Sequence, residues 1–142
     1  MIQIIAGEKG KGKTKILIEK VNTEVKTAKG DVVYIDKNNK HMYELSNKIR
    51  LINITDYFIE NENEFIGFLC GIISYDHDIQ SLYLDSFLKI SNVNNDNIER
   101  VYRKLEKISS QFQVDFVLSI SLNEDQLPEY MKQNVPYPYK IL

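Results

Sequence analysis

Gly7-Glu8-Lys9-Gly10-Lys11-Gly12-Lys13-Thr14 is the stretch from which the rest of this sequence is read. It satisfies G-x-x-x-x-G-K-[S/T] at every fixed position. The glycines permit positive φ and let successive backbone N–H groups curl around a phosphate with no Cβ in the way. Lys13 offers a point charge to the β and γ oxygens of a triphosphate, and Thr14 a hydroxyl for magnesium. A helix starting at Lys13 would aim the positive end of its dipole at the same oxygens. A loop rich in lysine and glycine can produce such a string by chance, so its flanks decide. Ile2 to Ala6 reads as a short buried strand directly before it. Directly after it, Leu17, Ile18, Val21 and Val25 form one apolar face of a helix from Lys13 to about Thr27. Strand, loop and helix in that order are the context in which the pattern holds phosphate.

Outward from the loop, short apolar runs alternate with helical periodicity. Strands are expected at Asp31–Asp36, Ile49–Ile54, Gln80–Asp85 and Val114–Ser121, with a final one at Tyr139–Leu142. Helices are expected at Asn63–Ser74 and Asn97–Gln111, with shorter ones over His41–Lys48 and from Pro128. Ile98, Val101, Tyr102, Leu105, Ile108 and Phe112 keep the 3.6 period, and the run NVNND before them supplies capping side chains. Strands alternating with helices imply an α/β fold: three layers, α/β/α, around a mostly parallel sheet of roughly five strands. The strand before the phosphate loop is expected at the centre of that sheet. No repeat, low-complexity tract or long linker divides the chain, so 1–142 is read as a single nucleotide-binding domain.

With these residues in place, the chain resembles the P-loop NTPase superfamily over essentially its whole length. The resemblance implies an ATP-binding core of RecA-like type, with Gly7, Glu8, Lys9, Gly10, Lys11, Gly12, Lys13 and Thr14 around the phosphates. Its second motif, a hydrophobic strand ending in an aspartate that binds magnesium through water, is matched by Leu82-Tyr83-Leu84-Asp85, with Asp85 71 residues after Thr14. Taken alone, a strand-end aspartate is as well explained as the cap of a turn. The N/T-K-x-D and D-x-x-G patterns of GTPases do not occur, which disfavours guanine, and the cassette signature L-S-G-G-Q is missing. Glu8 stands where deviant-loop dimeric ATPases carry a lysine. Some small proteins of this appearance in low-GC Gram-positive bacteria carry a twitching-motility, PilT-like label. Motility and secretion ATPases, however, are much longer and add a sensory domain and acidic and histidine boxes.

Hydrolysis is the weak point of the pattern. Many ATPases of this class have a glutamate beside the strand-end aspartate, and here Ser86 and Phe87 follow Asp85. Asp36, at the end of its strand, is the candidate substitute, because parallel strand ends converge on the ligand crevice; turn formation before Lys37-Asn38-Asn39 is the account that turn propensity favours. Ser119, Ser121 or Asn123 would sense the γ-phosphate, Ser121 being the one taken as a nucleotide contact. Of Lys9, Lys11, Lys13 and Lys15, only Lys13 is expected to touch phosphate, the rest being solvated. Arg100 and Arg103 are candidate trans arginine fingers, with a solvated helix face as the simpler account.

Composition narrows the partners. With 43% apolar and 27% charged residues the chain is ordinary for a globular protein, and a net charge of -2 argues against sequence-independent nucleic-acid binding. No apolar stretch reaches the roughly 18 residues of a membrane helix, and no signal peptide is evident, so the expected location is the cytoplasm. The single cysteine, Cys70, reads as a small buried hydrophobe. Asp76-His77-Asp78 reads as a polar turn, and the tail tyrosines Tyr137 and Tyr139 as a stacking surface or a docked tail. The expected cofactors are ATP and Mg2+, with a protein partner or a homo-oligomer left open. Three functions compete: a slow or partner-stimulated ATPase, a nucleotide-gated interaction module that leaves ATP intact, and a small-molecule phosphotransferase. The last is disfavoured because three arginines are too few for a typical lid.

Overall fold

The computed structural model describes residues 1–10 and 12–135; the strand expected over Tyr139–Leu142, the tail tyrosines and Lys11 lie outside them. Five strands form one sheet: β1 (Ile2–Ala6), β2 (Asp31–Asp36), β3 (Arg50–Asn53), β4 (Ile79–Leu84) and β5 (Asp115–Ile120). Their order is β1-β5-β4-β2-β3, and every neighbouring pair is parallel. The helices are α1 (Lys13–Val25), α2 (Glu62–Tyr75), α3 (Phe87–Ile90), α4 (Ile98–Phe112) and α5 (Glu129–Lys132).

Alternation along the strands makes two cores. Ile4, Val33, Ile35, Leu82, Leu84, Phe116 and Leu118 face the larger one, with Phe65 and Leu69 of α2 and Val101, Tyr102 and Leu105 of α4. Ile5, Val32, Tyr34, Tyr83 and Val117 face the other way, under Leu17, Ile18 and Val21 of α1. These strands are buried on both faces, and their sequences are accordingly near-continuous apolar runs. The architecture is three-layered, α/β/α, with an all-parallel sheet.

Several expectations change. Among the described residues β1 is at the edge of the sheet, not its centre: β5 pairs with one side of it, and on the other the Ile4 N–H donates to the Asn134 carbonyl at 2.8 Å. The segment His41–Lys48 holds only a 3-10 turn at Met42–Glu44. Cys70 is exposed, because the buried stripe of α2 runs through Phe65, Leu69 and Ile73 and leaves position 70 on the outer face. The short helix α3 had no periodicity long enough to signal it. No helix of the described residues is long and apolar enough to cross a membrane.

Candidate functional site

The site is built at the carboxyl ends of β1, β2, β4 and β5, where parallel strands open onto a crevice. At the end of β1 the Gly7 N–H donates to the Ile120 carbonyl at 3.3 Å. The chain then turns through Gly10 (φ 85°) and Gly12 (φ 80°), two left-handed residues that a side chain would strain. Gly12 is the N-cap of α1 and offers no side-chain cap, at the end of the helix whose dipole favours an anion.

Lys13 is 8% exposed, and its ammonium donates to the Glu8 carbonyl at 2.8 Å, folded back across the loop. Burial lowers its pKa from the ordinary lysine value, and the Asp85 carboxylate opposes that shift. Thr14 faces the end of β4, where its hydroxyl lies 3.1 and 3.3 Å from the two carboxylate oxygens of Asp85. Asp85 is itself buried and accepts two further hydroxyls: Tyr34 at 2.8 Å and Ser119 at 2.7 Å. The Ser119 oxygen in turn accepts the Ser86 N–H at 2.7 Å, which helps hold Ser86 in a left-handed conformation, φ 58°. This is the kind of over-determination by which a non-glycine residue is kept there.

Asp36 ends β2 beside this group, 3% exposed, with one oxygen accepting the Lys37 N–H at 2.7 Å. Burial first, and then the charge of Asp85, raises its carboxyl above the ordinary aspartate range. The turn-forming bond and the approach to Asp85 therefore coexist. A cavity of about 450 Å³ is lined by Lys9, Gly10, Gly12, Lys13, Thr14 and Asp85, whereas Asp36 and Tyr34 are not among its lining residues. Lys37, Ser86, Leu88, Lys89, Ser119 and Ser121 complete the wall.

Most of the residues named from sequence thus come together, though some take other parts. Ser121 lines the cavity, whereas Asn123 turns to the Glu8 carboxylate at 2.9 Å. Ser119 is 1% exposed and spends its hydroxyl proton on Asp85. Arg100 and Arg103 lie outside this chain's own cavity, paired with Glu62 at 2.8 Å and Glu106 at 2.8 Å. The sequence reading missed Tyr34, Lys37 and Lys89. None of the three carried a signal, because what brings them here is the pairing of β2 with β4 and the place of α3.

No metal cage of three or more His, Cys, Asp or Glu side chains exists among the described residues. Magnesium rarely needs one, since it keeps water and substrate phosphate oxygens and takes only one or two protein oxygens. The adjacent Thr14 hydroxyl and Asp85 carboxylate fit that donor set.

No family model and no curated protein sequence matches this chain. Among solved structures it is similar to a KaiC-like protein from the hyperthermophilic archaeon Pyrococcus horikoshii OT3, with a TM-score of 0.60 at 15% identity. The match covers 93% of this chain and 66% of that one, so this chain spans just under two thirds of its neighbour. At that identity the likeness is one of fold. It bears out the three-layer α/β/α architecture and lends nothing to the motility label.

Proposed function

We propose that this chain binds ATP with magnesium in the cavity between Gly7–Thr14 and Asp85, and hydrolyses it slowly or when a partner stimulates it. The observation that carries the reading is the meeting of Thr14 and Asp85 at 3.1 Å across 71 residues, with a buried lysine beside them. The start of α1 without a side-chain cap, a left-handed glycine at that position and a cation-rich cavity support it. Thr14 and, through water, Asp85 would hold magnesium, which when bound offsets phosphate charge. Lys13 would release the Glu8 carbonyl and turn to the β and γ oxygens.

Asp36 is the residue for hydrolysis. Its carboxylate is buried next to Asp85, and a raised pKa makes it a better proton acceptor once ionised. Asp36→Asn should then keep ATP binding and lose phosphate release. If that variant releases phosphate at the wild-type rate, Asp36 has no such part. If the unaltered chain binds ATP but leaves it intact for hours in a single-turnover assay, the protein is instead a nucleotide-gated interaction module. The primary test is calorimetry with ATP and GTP in the presence of magnesium. Binding of ATP by the wild type and its loss in Lys13→Ala are expected; wild-type affinity in Lys13→Ala would sink the assignment.

A further inference from the structure

Besides Lys13, three lysines line the cavity, Lys9, Lys37 and Lys89, and the nucleotide reading gives the last two no part. They arrive from three separate places, namely the loop after β1, the residue after β2, and α3. Among the described residues none of them is ion-paired, whereas Arg100, Arg103 and Lys132 on the far helices each have a glutamate within hydrogen-bond distance. The Lys37 ammonium lies 3.5 Å from the Ser86 hydroxyl. The positive charges of Lys37 and then Lys9 push the Lys89 ammonium below its ordinary range. Among the described residues, a chain of net charge -2 thus gathers four ammonium groups, Lys13 included, around one cavity of about 450 Å³. Exposed like charges spread apart unless something holds them together, and such a concave positive wall draws in an anion.

Position says which anion. Asp85 meets Thr14, Ser86 follows Asp85, and Lys37 stands over Ser86. Lys37 and Lys89 therefore lie beyond the Lys13–Thr14–Asp85 group, outward from the loop that would cradle the β-phosphate.

We infer that Lys37 and Lys89 close on the terminal phosphate of the bound nucleoside triphosphate, supplying from within the chain the cations that tell triphosphate from diphosphate. This rests on the nucleotide reading above. Lys9 strengthens the field without a place of its own on that phosphate.

The test is calorimetry of ATP and ADP, each with magnesium, on the full chain and on the double variant Lys37→Ala/Lys89→Ala. Circular dichroism will verify that these two exposed positions leave the fold intact. The expected result is a wild type that prefers ATP and a double variant whose ATP-to-ADP preference falls by at least about tenfold, since a charge-assisted hydrogen bond is commonly worth that much. ADP affinity should be nearly unchanged, and Lys37→Arg/Lys89→Arg should retain the preference. An unchanged ratio in the alanine variant, or an equal weakening of both nucleotides, overturns the inference and leaves the nucleotide reading standing. If the wild type binds neither nucleotide, the nucleotide reading falls and takes this inference with it.

Discussion

Asp85 illustrates how a single carboxylate is prepared. Three hydroxyls, from Thr14, Tyr34 and Ser119, converge on its two oxygens within 3.3 Å. Each of the three comes from a different element, so the carboxylate has one orientation that satisfies all of them. The phenol of Tyr34 is fully buried, and burial, with the charge of Asp85, raises its pKa far above the usual tyrosine value, so it remains a donor. Tyr34→Phe should lower stability by about 1.5 kcal/mol, the usual value of a hydrogen bond to a charged group, because it removes a donor and leaves the carboxylate buried. Urea unfolding measures this, and a midpoint equal to wild type would mean that Ser119 and Thr14 suffice. That Asp85 and Thr14 belong together was implied by the resemblance to the P-loop pattern. That Tyr34 joins them was not, because it depends on which strand lies beside β4.

At the scale of elements, α1 is fastened to the sheet at both ends. Its first turn reaches Asp85 through Thr14. Near its last turn, Glu24 accepts the Ser81 hydroxyl at 2.6 Å, the Tyr83 hydroxyl at 2.6 Å and the Gln80 amide at 2.9 Å. Tyr34 and Tyr83 are direct cross-strand partners with stacked rings 6.2 Å apart, and their hydroxyls run to Asp85 and Glu24 respectively. The helix that presents the phosphate loop is thus held in register with the strand that presents Asp85. For Glu24, burial acts to raise the carboxyl, but the bonds from Ser81, Tyr83 and Gln80 outweigh it and lower the pKa below 4.5. A lowered acid stabilises the fold above its unfolded pKa and loses that contribution as pH falls through the folded one. Wild type should therefore exceed Glu24→Gln in stability near neutral pH, by about 1–2 kcal/mol. The gap should narrow as pH drops below 4.5. A gap that stays constant through that range would show that ionisation of Glu24 is not its source.

At the scale of the molecule, the two cores separate two tasks. The larger, with α2 and α4, fixes the sheet as a platform, and the smaller, under α1, couples the loop to the strand ends. A ligand spanning both should stabilise the whole chain. At a concentration of magnesium-ATP 100 times its dissociation constant, linkage adds about 2.7 kcal/mol and raises the melting temperature by several degrees. Thermal denaturation with ATP, and then with an equal concentration of GTP, measures this. A melting temperature unmoved by ATP under those conditions would contradict the proposed binding.

Sequence by itself determined the local features: the strand–loop–helix around Gly7–Thr14, the apolar faces of α1 and α4, and the α/β alternation. Each depends on residues close in the chain, and each is written in periodicity or in residues chosen for φ. Tertiary structure alone decided what depends on non-local pairing. It set the strand order, which moved β1 to the edge among the described residues. It turned Cys70 outward, since the side a helix buries depends on what packs against it. It also brought Tyr34 to Asp85 and Lys37 and Lys89 to the cavity, because adjacency between β2, β4 and α3 is fixed by sheet pairing and leaves no mark on neighbouring residues.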